Sequence, residues 1–130
     1  MDFTVELDEK QFELIELILD ETLINLGVHI VVLIDLAGNI IVNLDDGKTK
    51  HDVYSLAALA AGNYGAVSAM AEIVGEKEFS LLFHKGEKES IHFSRVGEDL
   101  LLVTVFGEDI SLGFLRLKVT EATKKIQDLM

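Results

Sequence analysis

Nineteen consecutive residues, Val53 to Ala71, carry no charge in a chain of which 26% is Asp, Glu, Lys or Arg. Most of that run is Ala, Gly and Ser, and a helix of such composition gains stability mainly from being covered. Asp52 supplies an N-cap and Gly75 a C-terminal stop. The run approaches the roughly 20 residues that span a bilayer. Its weak apolarity opposes that reading, as do its borders, Asp52 and Glu72, which are not flanked by Lys or Arg belts. The expected cover is protein.

On a wheel of 100° per residue the helix has two unlike sides. Leu56, Ala60, Val67, Met70 and Val74 form a bulky side suited to a sheet. Ser55, Ala58, Leu59, Gly62, Gly65, Ala66, Ala69 and Ile73 form a side of mostly very small groups. Gly62 and Gly65 each cost the helix about 1 kcal/mol relative to alanine, which close approach of another helix would offset.

The remaining pattern describes one domain, residues 1–130, of α/β class. Asp8 caps a first helix reaching Leu26, with Phe12, Ile15, Leu19, Thr22 and Leu26 inward and an acidic stripe of Glu9, Glu13, Glu16 and Asp20 facing solvent. Val28–Leu36 and Ile40–Leu44 flank Ala37-Gly38-Asn39 as a hairpin. After the uncharged helix come strands Glu78–His84, Glu89–Arg95 and Leu100–Phe106, then a helix begun at Asp109 or Ser111. Val28–Ile34 and Leu100–Phe106 are apolar on both faces, which places them centrally and paired in a five-stranded antiparallel sheet. Phe79–Phe83 falls at an edge, unusually apolar and without proline. The first and last helices share one face, giving a three-layer α/β/α sandwich. The small side of the middle helix and the apolar edge are then both left for a second copy of the chain. The expected homodimer seam comprises the eight small-side residues named above together with Phe79, Leu81 and Phe83, at roughly 1,600 Å².

Charge narrows the function classes. Eleven basic against 23 acidic residues give a net charge of −12, which repels phosphate backbones and anionic lipid alike, so neither nucleic acid nor membrane is an expected partner. There is no cysteine, and Met1–Glu6 lacks a basic region followed by an apolar run, so a cytoplasmic location is expected.

Three stretches carry a resemblance: Leu56-Ala57-Ala58-Leu59-Ala60-Ala61-Gly62-Asn63, Glu78-Phe79-Ser80-Leu81-Leu82-Phe83-His84-Lys85-Gly86-Glu87 and Leu112-Gly113-Phe114-Leu115-Arg116-Leu117. Together they resemble the Roadblock family, of dynein-light-chain type, and within it the bacterial gliding-motility regulators of the MglB kind. The resemblance implies dimers that join two sheets edge to edge with the middle helices side by side. It also implies a non-enzymatic partner for a Ras-like, MglA-like GTPase, accelerating GTP hydrolysis without an arginine finger, in bacterial polarity or motility. The two arginines, Arg95 and Arg116, sit near a strand end and in the last helix, in keeping with that. Some gliding-type relatives carry a longer C-terminal tail, whereas this sequence ends at Met130 with Lys124 and Lys125 as its basic pair, which places tail-dependent activity in question. An adaptor without effect on nucleotide chemistry is the alternative. A small-molecule sensor is disfavoured by the close packing that Ala and Gly allow under the helix. Tyr54 and Ser68 are the wheel positions assigned to partner contact.

No phosphate loop, nucleophile elbow or dinucleotide glycine pattern occurs, so neither enzyme nor cofactor is expected. Asp45, Asp46, His51 and Asp52 lack the alternation of a calcium loop and read as loop polarity and a cap, not a metal site. His29 reads as a satisfied core residue. A two-residue Gly86-Glu87 turn would set Lys85 opposite Lys88 and His84 opposite Glu89, so that His84 and His92 do not face each other.

Overall fold

Capping chemistry sets the first boundary. The Asp8 carboxylate accepts the Gln11 backbone N–H at 2.8 Å, and the Gln11 side chain accepts the Asp8 N–H at 2.9 Å, a reciprocal capping box. From there α1 runs over Glu9–Leu19, widens into a π-helical segment at Asp20–Ile24, and ends at Gly27 with φ +112°. The computed structural model describes residues 6–48 and 50–130. Met1–Val5, where no leader pattern was read, lie outside the described residues.

The order continues as β1 (Ile30–Asp35), β2 (Ile40–Asp45), α2 (Val53–Ile73), β3 (Leu82–Lys85), β4 (Glu89–Val96), β5 (Leu100–Gly107) and α3 (Leu112–Leu129). All strand pairings are antiparallel, in the order β2-β1-β5-β4-β3. β1 and β5 pair from Ile30↔Val105 to Asp35↔Leu100, and every residue of both is buried. Two-sided apolarity explains their place: each needs helices above and below.

On one face Ile15, Leu19 and Leu23 meet Leu115, Val119 and Ile126 over Val31, Leu33 and Leu102. On the other Ala57, Ala60 and Tyr64 of α2 cover Ile30, Val32, Leu101 and Val103. The acidic stripe of α1 is exposed. Buried Asp35 locks the β1–β2 turn, accepting the Ala37 and Asn39 N–H groups at 3.0 and 2.9 Å and the Asn39 side-chain amide at 2.9 Å. No helix among the described residues is long and apolar enough to cross a membrane.

Two expectations need correction. The edge strand begins at Leu82, not Glu78, because its ladder to β4 ends at Leu82↔Phe93. The β3–β4 connection is also longer than two residues. Lys85 pairs with Ser90 and His84 with Ile91, which leaves residues 86–89 in the turn. His92 pairs with Phe83, so the two histidines lie on opposite faces of the sheet.

Candidate partner-binding face

The Asp52 side chain accepts the Ser55 N–H at 3.1 Å and the Ser55 hydroxyl at 2.7 Å, fixing the start of α2. Gly75, at φ +83°, closes its end. Between these stops α2 lies over β1, β2 and β5. Its sheet side is Ala57, Ala60, Tyr64 and Ala71, with Leu56 half-buried beside them.

All eight small-side positions, Ser55, Ala58, Leu59, Gly62, Gly65, Ala66, Ala69 and Ile73, are exposed in the single chain. Leu59 and Ile73 are 73% and 83% exposed. A Cβ built on Gly62 or Gly65 meets nothing within 4 Å among the described residues. Tyr54 is exposed on the same helix, whereas Ser68 is half-buried.

The sequence missed the bulky group that anchors α2. Met70 and Val74, expected on the sheet, are exposed, and Tyr64 lies inward instead. Small Ala57 and Ala60 let the helix sit close to the central strands, and the long Tyr64 ring reaches sideways to Phe93 of β4. Arg95 holds it there, donating from Nη1 to the Tyr64 hydroxyl at 3.2 Å with its guanidinium 5.8 Å from the ring centroid. The inward wheel position of Tyr64, in line with Ala57 and Ala60, was the available signal.

Beside α2 the same face of β3 and β4 is thinly covered: Leu82 and Ile91 are half-buried and His84 is exposed. Phe79 and Leu81, part-exposed, precede β3. Phe83 turns to the other face and stacks on Phe106 with centroids 5.9 Å apart. Of the three edge residues expected at a seam, the structure therefore leaves Phe79 and Leu81 outward and commits Phe83 largely to its own core.

At the far end of the sheet a cluster forms that sequence reading did not find. Glu89 accepts from His29 Nδ1 at 2.7 Å and from His51 Nε2 at 2.9 Å. His29 is thus a part-exposed partner of a carboxylate, not a core residue, because the chain reaches it one residue before β1 begins. The hydrogen bond from His29, with the support of His51, holds the Glu89 carboxyl below the usual carboxylate range. Stability from this group is therefore present above the ordinary glutamate value and is lost as pH falls through the depressed one. Glu89→Gln should cost about 1 kcal/mol at neutral pH and remove that acid-side loss, as read from urea midpoints across pH. The neighbouring Asp45 and Asp46 accept the Gly47 and Lys48 N–H groups at 2.7 and 2.9 Å, as loop-forming residues do.

The Roadblock/LC7 domain family matches residues 14–106. The structure is similar to that of the gliding protein MglB from Thermus thermophilus, with TM-score 0.88 and 29% identity over 99% of this chain and 97% of that one. Myxococcus xanthus MglB gives 0.86 and 32% over 97% and 93%. An MglB in a tetrameric arrangement gives 0.89 and 28% over 99% and 96%. No curated protein sequence matches the chain.

Proposed function

This chain belongs to the Roadblock/LC7 family and is MglB-like within it, and from that premise we propose that it is a homodimeric regulator of a Ras-like, MglA-like small GTPase. It stimulates GTP hydrolysis in bacterial polarity or motility. One observation carries the reading: a helix side of eight small or apolar residues stands exposed beside a thinly covered sheet edge. Water gains nothing from such a side, and the two glycines in it weaken the helix unless another helix comes close. A two-fold axis brings two such sides together, with Phe79 and Leu81 completing the seam.

Stimulation proceeds by reshaping the GTPase's own site. Arg95 donates to Tyr64 and to the Glu98 carbonyl, which fix its position, and Arg116 lies in α3, on the sheet face opposite α2. Arg95 is turned to the inward Tyr64 and Arg116 lies on the other face of the sheet, so neither belongs to the exposed small side of α2, which supports activation without a finger. Tyr54, exposed at the start of α2, is the partner-contact candidate that its placement favours.

Mixing the protein with an MglA-like GTPase and timing GTP turnover tests the proposal. Acceleration well above the intrinsic rate is expected. Binding without acceleration would reduce the protein to a scaffold, and no binding would remove the GTPase from its function altogether.

A further inference from the structure

Where β3 stops at Leu82, the outer edge of β4 is left without a ladder neighbour and a cavity of about 200 Å³ opens around it. The chain has two arginines, and both line this cavity, Arg95 from β4 and Arg116 from α3. In a protein of net charge −12 that convergence is not a feature of the general surface. His92 lines the same cavity and is 5% exposed, with its buried Nδ1 lacking a hydrogen-bond partner among the described residues. Ser80, Ser94 and Thr120 also line it, beside the apolar Phe79, Leu82, Phe93 and Val119.

Arg95 is already positioned. Two of its five N–H groups go to the Tyr64 hydroxyl and the Glu98 carbonyl, leaving the others for a further acceptor. Residues able to donate thus come from one strand, one helix and the segment leading into β3, a spread over three elements that suits a tetrahedral oxyanion better than a flat carboxylate. Glu78 is the one carboxylate on the lining, so the charges of the site sum to +1 from Arg95, Arg116 and Glu78. At roughly 30 Å³ per water, the space is that of about six or seven waters, enough for a phosphate group with part of its hydration.

We propose that this cavity binds a tetrahedral oxyanion of the phosphate class, held by Arg95 and Arg116 with His92 at its buried wall. The site touches α2 only through the inward Tyr64, not through its exposed small side, and its occupancy does not depend on the GTPase reading. Phe79, which flanks both cavity and seam, makes the assembled dimer the form to test.

Inorganic phosphate, titrated to saturation at neutral pH against sodium chloride of matched ionic strength, should raise Tm by about 4 °C at a tenfold excess over its Kd. It should also move the His92 ring resonances. Arg116→Gln, at an exposed helix position, should keep the fold and abolish both effects. Equal stabilisation by chloride would reduce the effect to screening and overturn the site. An undiminished response in Arg116→Gln would do the same, by placing the ion elsewhere. Sodium acetate is the arm for planar carboxylates, and a response equal to that of phosphate would overturn the tetrahedral assignment.

Discussion

Gly62→Leu should leave each chain folded and halve the mass of the particle. At this exposed position an added Cβ meets nothing within 4 Å among the described residues, so the side chain can extend into solvent in the single chain. Replacing glycine by leucine in a helix interior also favours the helix by about 0.8 kcal/mol. Any loss must therefore come from outside the chain. If two α2 helices pack through their small sides, each copy inserts four carbons where the backbones approach, and overpacking of about 1–3 kcal/mol acts on both sides of the axis. Light scattering should fall from twice 14.4 kDa toward 14.4 kDa while the helical circular dichroism is kept. GTPase stimulation should fall with it, by about tenfold or more if each kcal/mol of lost pairing is expressed in complex formation. Ala66→Leu, one turn along the same exposed side, should repeat the result. An intact dimer in both variants would sink the seam, while loss of helical signal would mean that α2 makes contacts within its own chain that the structure does not show.

The division of α2 into a covered side and an exposed small side was legible in part because it is written in local pattern. Small residues recur at helical spacing, and the caps at Asp8, Asp52 and Ser111 bind the backbone N–H groups their positions predict. β1 and β5 were equally legible, since strands apolar on both faces have few places in a sheet. What stayed hidden depends on contacts distant in sequence or on hydrogen-bond register. The His29–Glu89 bond joins residues 60 apart, and His51 joins Glu89 across 38. No periodicity encodes them. The same cluster bears on the misread hairpin: Glu89 pairs across with Gly107 and turns its carboxylate to the histidines, so it is not available to His84. A side chain on Gly86 would collide with the Glu89 carbonyl, which shows how tightly that four-residue turn is drawn. The π segment at Asp20–Ile24 is invisible for another reason: its buried Thr22 and Leu23 suit a 3.6-residue helix just as well.

Acid should destabilise the fold through His92 before it reaches the carboxylates. Burial, reinforced by the Arg116 charge, lowers the His92 pKa from 6.5 to about 4. Between those values the unfolded chain takes a proton that the folded chain refuses, so stability falls as pH falls through the window. Two and a half units correspond to about 3 kcal/mol, a large share of the 5–15 kcal/mol typical of a domain. Below about 4 the folded imidazole also protonates and its contribution levels off, and the depressed Glu89 carboxyl then adds its own loss. The two groups thus act in successive windows. Urea midpoints measured from about pH 7.5 downward should show the first fall centred between 6.5 and 4. His92→Leu should flatten that part of the curve and leave the lower part, because it removes the proton acceptor without touching Glu89. Arg116→Gln should make the first fall shallower, since loss of the guanidinium lets the folded His92 take its proton at higher pH. A His92→Leu curve as steep as that of the native chain would assign the acid response to other groups and falsify the burial argument.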